Sequence, residues 1–138
     1  MHLTLLLLPL LLSALPVAAQ VREFSCVGAE RLTDDAAVIT FARGRDKVQD
    51  DAAGVLRPLA ELAVAQPSRN VCILGYASGS EGGAESGSRL AARRARAVGL
   101  ELARLGVERD RVRAEARTRG FASGGVDRRP GARVVLLP

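Results

Sequence analysis

The chain has 138 residues and a formal net charge of +5, and His2 is its only histidine. This length suits one domain. If an N-terminal segment is removed on export, no histidine remains, which excludes histidine triads, histidine metal sites and Cys–His nucleophiles.

The segment 1–19 is predicted to be a secretory signal peptide. Its apolar run ends in the small residues 17–19 before Gln20, as signal peptidase requires. Pro9 and Pro16 argue against a stable membrane span, and an uncleaved anchor is the alternative. No cysteine follows closely enough for a lipoprotein-type signal. We therefore expect an exported domain whose mature chain has no transmembrane span.

The two cysteines, Cys26 and Cys72, suggest one disulfide in an exported chain. Closing a loop of this length stabilises a fold by roughly 3–4 kcal/mol in the chain-entropy model. Because Cys72 lies in an apolar run, a buried free thiol is the alternative.

The basic residues are almost all arginine, since Lys47 is the only lysine. Export argues against nucleic acid as a partner. Acidic polymers of a cell envelope are better candidates, and the alternative is that arginine is simply the surface cation.

The chain from residue 37 onward alternates between strand and helix patterns. The lead-in segment 20–36 is expected to be irregular, with a short strand near Cys26. The β-branched run 37–42 predicts a strand. Asp50 and Asp51 then suit a helix start, and Pro67 ends the helical pattern. Pro58 falls inside this pattern and indicates either a kink or a later helix start.

The second half of the chain repeats this alternation. The apolar run 70–77 predicts a strand buried on both faces, and the glycine- and serine-rich segment 78–88 predicts a loop. The segment 89–106 has a helical apolar stripe with Gly106 as its C-terminal cap. Two further strands are predicted at 111–119, which alternates in polarity, and at 133–137.

The predicted fold class is therefore α/β, a two-layer α+β sandwich in βαβαββ order over residues 37–138. Two main helices cover one face of a mixed sheet of about four strands. Strands joined through helices suggest parallel pairing with right-handed crossovers.

This order and the second helix resemble the OmpA-like domain, a periplasmic peptidoglycan-binding module. In that family a strand ends in Gly-His-Thr-Asp, and the next helix has the pattern Asn-x-x-Leu-Ser-x-x-Arg-Ala-x-x-Val, followed by Leu and Gly at four-residue steps. The chain matches this register at Leu90, Arg94, Ala95, Val98, Leu102 and Gly106.

The resemblance implies a ligand site. In the family, the strand-end aspartate pairs with the ammonium of the diaminopimelate side chain in the peptidoglycan stem, and the helix arginine pairs with a carboxylate of the same residue. Here Arg94 keeps the arginine, while Ala77 and Ser78 replace Thr and Asp, and Gly87 replaces the helix Asn. Arg133 matches an arginine of the family's last-strand motif.

Ser78 can still accept a hydrogen bond, but it lacks the negative charge. Losing a charge-assisted hydrogen bond of roughly 1.5–3 kcal/mol weakens binding by about ten- to a hundredfold. Glu81 and Glu85 are candidates for supplying the missing charge, and the alternative is that both are solvated loop acids. Likewise, Arg94 is either ligand-facing or a structural arginine that pairs elsewhere in the fold.

The expected function is therefore weak non-covalent association with diaminopimelate-type peptidoglycan, in the periplasm near the outer membrane. The alternative is an interaction domain of the same fold that has lost this binding and contacts an envelope protein or anionic polymer. No enzyme, cofactor or metal site is expected, because no base, ligand cluster or nucleotide loop accompanies the serines and acids.

Overall fold

The computed structural model describes residues 22–78, 80–81, 83–117 and 131–138, with the backbone alone at 83–85. The signal peptide predicted at 1–19 lies outside these ranges. Within them, no helix has the length and apolar character needed to cross a bilayer.

Four strands form one mixed sheet: β1 (Ala36–Thr40), β2 (Val71–Tyr76), β3 (Val112–Ala116) and β4 (Gly131–Leu136). Their order is β1-β4-β2-β3. The strand β2 pairs parallel with β3, and β4 is antiparallel to both of its neighbours. The predicted α/β class and mixed sheet are confirmed.

The position of β4 shows that one expected pairing, between β1 and β2, is wrong. β1 and β2 run in the same direction, but β4 lies between them, so they are not hydrogen-bonded neighbours. Five of the six β4 residues are buried, whereas only Ile39 of β1 is buried. A strand covered on both faces suits the interior of the sheet, and the more exposed β1 suits its edge.

Two helices, α1 (Ala52–Ala65) and α2 (Gly83–Arg104), cover one face of the sheet. Asp51 precedes α1 but makes no side-chain capping bond, and Pro58 lies inside the helix without ending it. The helix α2 begins at Gly83, inside the predicted 78–88 loop. The glycines and serines of this first part of α2 have weak helix propensity, which is why the sequence predicts a loop there.

The buried side chains form two clusters on opposite faces of the sheet. The larger cluster joins the helices to the sheet, and the smaller one joins the lead-in segment to the other face. β2 contributes to both, since Val71 and Ile73 belong to the first cluster and its alternate residues to the second. All six β2 residues are buried, as predicted for this strand. The second cluster consists of Cys26, Ala29, Cys72, Leu74 and Tyr76.

The lead-in segment is held on the sheet by the disulfide between Cys26 and Cys72, whose Cα atoms are 5.7 Å apart. The predicted bridge is confirmed. A short 3-10 helix, Ala29–Arg31, follows Cys26 in place of the expected short strand. Arg113 and Arg117 of the β3 edge donate hydrogen bonds to main-chain carbonyl oxygens of this segment. The segment is therefore a cover for the second face of the sheet.

Arg111 caps the C-terminal end of α1 with a buried side chain. Its side chain is buried, and its guanidinium donates to the carbonyl oxygens of Ala63, Gln66 and Arg69 at 2.5–3.1 Å. The last carbonyls of a helix lack intrahelical partners and carry partial negative charge, so a cation is stabilising there. Desolvation lowers the pKa of Arg111, although an arginine remains charged at ordinary pH.

Candidate functional site

Close contact between α2 and β2 positions the candidate site. A Cβ atom on Gly75 would lie 1.8 Å from the carbonyl oxygen of Ala91, so only glycine allows the two backbones to approach at this point. The next turn of α2 carries Arg94, whose Nη1 lies 2.9 Å from the carbonyl oxygen of Tyr76 at the end of β2. The glycine of the family's strand motif thus has a steric function.

Arg94 is completely buried, and all five of its N–H groups are hydrogen-bonded. Nε donates to the carbonyl oxygen of Arg45 at 2.8 Å, and Nη2 reaches that of Ala42 at 3.3 Å. Nη1 donates to Tyr76, as described above. The remaining two N–H groups, one on Nη1 and one on Nη2, bind both carboxylate oxygens of Glu81 at 3.0 and 2.8 Å.

An aromatic ring completes the surroundings of this guanidinium. Its Cζ lies 5.4 Å from the centre of the Phe41 ring, within the range of a cation–π contact. A buried charge without partners is very costly, so this saturated environment explains how the helix tolerates an arginine on its apolar face.

Glu81 is the counter-ion of Arg94, and its side chain is only 3% exposed. Oε1 accepts from the main-chain N–H of Gly44 at 2.9 Å, and Oε2 accepts from that of Ser78 at 2.8 Å. With the two Arg94 bonds, each oxygen has one guanidinium donor and one main-chain donor. We call these four donors, on Arg94, Gly44 and Ser78, the carboxylate cradle.

The cradle strongly favours a charged carboxylate. Hydrogen bonding from Arg94 is the main cause that lowers the pKa of Glu81 to about 2, and the main-chain donors of Gly44 and Ser78 act in the same direction against the desolvation. Glu81 therefore stays ionised at any physiological pH.

The cradle brings together the turn after β1, the turn after β2 and the helix α2. Gly44 has a positive φ of 68°, a conformation that glycine adopts without strain, and its N–H points at Glu81. Arg43 of the same turn donates to the carbonyl oxygen of Ser80 at 3.2 Å. The first turn is therefore tied to the second by both side-chain and main-chain groups.

The structure places several of the predicted site residues at this end of the sheet. Ala77 and Ser78 directly follow β2 and are half-buried. The Ser78 N–H belongs to the cradle, and its hydroxyl lies 3.1 Å from that of Ser80. Gly87 is half-buried in α2, and a Cβ there would meet no atom within 4 Å.

Arg133 does not join this group. Its neighbours Ala132 and Val134 point into the helix-side cluster, so the Arg133 side chain is on the opposite face of the sheet. There its Nη2 donates to the carbonyl oxygen of Leu32 at 2.6 Å. Arg133 lies in the last strand, as the apolar pattern at 133–137 predicts, but the structure does not bring it to Arg94.

Sequence reasoning left Glu81 open between a ligand-site charge and a solvated acid, and its burial excludes the solvated alternative. The order Ser78-x-x-Glu81 is that of a capping box, in which a glutamate reaches back to a main-chain N–H three residues earlier. The structure contains this bond, from the Ser78 N–H to Glu81. The Ser-x-x-Glu pattern is therefore the sequence feature from which the contact of Glu81 with the main chain could have been predicted. The Glu85 side chain lies outside the described residues.

A surface groove lies elsewhere, between the start of α1 and the exposed side of α2. It has a volume of about 500 Å³ and shares no lining residue with the cradle. Both acidic and basic side chains line it, including Asp46, Lys47, Asp50, Glu101 and Arg104. Among the described residues, no group of three His, Cys, Asp or Glu side chains is placed to hold a metal.

Comparisons with known proteins agree with this architecture. The OmpA family matches residues 40–129, about two thirds of the chain. The structure resembles the peptidoglycan-associated lipoprotein of Burkholderia pseudomallei, with 24% identity, a TM-score of 0.55, and coverage of 74% of this chain and 87% of the other. No match was found among curated proteins.

Two further solved structures have the same fold. The OmpA-like domain of FopA1 from Francisella tularensis has 19% identity and a TM-score of 0.59, covering 78% of this chain and 77% of that one. A putative MotB-like protein from Desulfovibrio vulgaris has 22% identity and a TM-score of 0.56, covering 72% and 69%.

The fold is that of a two-layer α/β domain with two helices on a four-stranded mixed sheet, and the solved OmpA-like domain of FopA1 shares it. The extent of the family match settles the membership: the chain belongs to the OmpA family.

Proposed function

We propose that this domain associates non-covalently and weakly with peptidoglycan, as an exported domain of the periplasm close to the outer membrane. One observation carries the proposal: a four-donor carboxylate cradle centred on Arg94 lies at the end of β2. The family resemblance implies that the stem peptide's carboxylate binds this arginine. The likeness to a peptidoglycan-associated lipoprotein supports it.

The proposed ligand group is the zwitterionic end of a diaminopimelate side chain. Arg94 would take its carboxylate, and the Ser78 hydroxyl would accept a hydrogen bond from its ammonium. Ala77 and Gly87, both half-buried at this end of the domain, are proposed ligand contacts. Arg133 is left out because it is bonded to the Leu32 carbonyl oxygen on the other face of the sheet.

The proposed binding is weak because Ser78 is neutral where the family has an aspartate. The absent charge-assisted hydrogen bond corresponds to roughly a ten- to hundredfold loss of affinity. The signal peptide at 1–19, the lead-in at 20–36 and the domain from residue 37 belong to the same proposal. Catalysis is not part of the proposal, because the resemblance implies a binding domain and the chain beyond His2 has no histidine to serve as a base.

An interaction domain without peptidoglycan affinity is the second candidate. It is favoured by the complete burial of Arg94 and the use of all its donors within the chain. Such a domain would contact an envelope protein or an anionic polymer through its exposed arginines.

Co-sedimentation with purified diaminopimelate-type sacculi tests the proposal, at low and moderate salt. The chain is produced by export so that its disulfide forms. Wild type is compared with Ser78→Asp, which restores the family's acid, and with Arg96→Ala, which removes an exposed arginine from α2. Circular dichroism confirms that each variant is folded.

We expect binding that persists at moderate salt, tightens by about ten- to a hundredfold in Ser78→Asp and is unchanged in Arg96→Ala. Binding that disappears at moderate salt and falls equally in Arg96→Ala would indicate a general charge effect and contradict the proposal. Absence of binding by both wild type and Ser78→Asp would favour the second candidate.

A further inference from the structure

We propose that Glu81 is an internal ligand of the carboxylate cradle, and that an external carboxylate binds Arg94 only by displacing it. The proposal rests on the proposed function in the identity of the natural ligand, a peptidoglycan stem carboxylate. The claim that the cradle accepts a carboxylate other than Glu81 stands on the geometry alone.

The cradle recognises a carboxylate group rather than a glutamate side chain. Its four contacts all go to the two carboxylate oxygens, at 2.8–3.0 Å. Two of the donors are main-chain N–H groups, and the other two form the parallel fork with which arginine binds carboxylates. Any carboxylate that presents both oxygens in this plane can make the same four bonds.

Glu81 excludes such a ligand while it remains in place. Each oxygen already accepts two hydrogen bonds, and the other three Arg94 N–H groups are held by the carbonyl oxygens of Ala42, Arg45 and Tyr76. The Arg94 side chain is fully buried and that of Glu81 nearly so. No donor of Arg94 is therefore left for a second carboxylate, and the two occupants compete.

Protonation does not release Glu81 under physiological conditions. The same four donors that bind it hold its pKa at about 2. Displacement has to be competitive, so the apparent affinity of an external carboxylate is reduced by the stability of the Glu81 contact. Two features of this chain therefore both lower its affinity for the stem peptide. Ser78 has no negative charge to pair with the ligand's ammonium, and Glu81 already neutralises Arg94.

Glu81→Ala tests the cradle directly, because it removes the internal carboxylate and leaves space for a small one. Thermal unfolding is measured with acetate, propionate or D-alanine, with chloride at equal ionic strength as the control. We expect saturable stabilisation of Glu81→Ala by the carboxylates and none of wild type. Replacing Arg94 by lysine in the Glu81→Ala background should abolish the stabilisation.

Glu81→Gln keeps the shape of the side chain and serves if Glu81→Ala does not fold. Its neutral amide binds Arg94 less strongly than a carboxylate does, so an external carboxylate should displace it more readily. We expect its affinity for sacculi to exceed that of wild type by about tenfold. Glu61→Gln, an exposed glutamate of α1, is the matched control.

The outcomes separate this inference from the proposed function. Equal stabilisation of wild type and Glu81→Ala by carboxylates, or none of either, would overturn the inference. Sacculus binding by wild type that weakens in Glu81→Gln would also overturn it and leave the proposed function intact. Carboxylate rescue of Glu81→Ala without sacculus binding by any variant would support the cradle and refute the peptidoglycan function.

Discussion

The replacement of Glu81 by glutamine should make folding stability much less sensitive to acid. In the folded protein the pKa of Glu81 falls from 4.5 to about 2, chiefly through its hydrogen bonds with Arg94. A shift of this size corresponds to about 3 kcal/mol of stability, at 1.36 kcal/mol per pKa unit. The side chain is 3% exposed, so solvent screening does not reduce this figure strongly.

The lowered pKa of Glu81 determines how its contribution to folding stability changes with pH. Because the folded-state pKa is lower than the unfolded one, the contribution is present in full above pH 4.5 and is lost as the pH falls towards 2. Glutamine does not titrate and lacks the contribution at every pH. The difference in unfolding free energy between wild type and Glu81→Gln should therefore shrink by about 3 kcal/mol between pH 7 and pH 2.

Urea unfolding followed by far-UV circular dichroism at several pH values between 7 and 2 measures this difference. Other carboxyl groups titrate in both proteins and cancel. The exposed Glu61, replaced by glutamine, supplies the control and should differ from wild type by less than about 0.5 kcal/mol throughout. A wild-type advantage over Glu81→Gln that stays constant across the range would refute the buried ion pair.

Three further substitutions test the scaffold around the site. Gly75→Ala should destabilise the domain by about 3 kcal/mol or more, because its Cβ would lie 1.8 Å from a carbonyl oxygen of α2. Urea unfolding measures this cost, and a value below about 1 kcal/mol would contradict the close contact. Arg111→Ala should cost about 3 kcal/mol, because it removes the donors from the buried carbonyl of Ala63 and from the partly buried carbonyls of Gln66 and Arg69. The exposed Arg57→Ala should cost less than about 0.5 kcal/mol, and equal effects of the two substitutions would reject the buried cap. Joint replacement of Cys26 and Cys72 by alanine should lower the unfolding free energy by about 3–4 kcal/mol, because the disulfide spans 46 positions. An unchanged urea midpoint would show that the disulfide does not constrain the unfolded chain.

The elements of the fold were largely predictable because apolar periodicity carries most of that information. The buried run of β2 and the extent of α1 could both be predicted at nearly their observed bounds. The position of β4 was not, because a short apolar strand has the same pattern wherever it lies in the sheet. The start of α2 was placed too late, since its glycines and serines favour a loop unless packing compensates.

The site was predictable only in part. The helix register identified Arg94, and the strand motif identified Ser78. The partner of Arg94 was left open because a glutamate in a glycine-rich segment is usually solvated. The main-chain donors of Gly44 and Ser78 could not be found from residue types, since every residue but proline has an N–H group. Arg133 matched by spacing alone, which does not determine the face of the sheet.

The interior position of β4 has a consequence for how the domain folds. Among the described strands, β1 pairs with β4 alone, and β4 also joins it to β2. A nascent chain that has emerged from the ribosome only as far as residue 130 would therefore have β1 unpaired and β2 open along one edge. The sheet has no N-terminal half that is complete in itself, so folding is expected to wait for β4 and to be slow, as non-local pairing usually is.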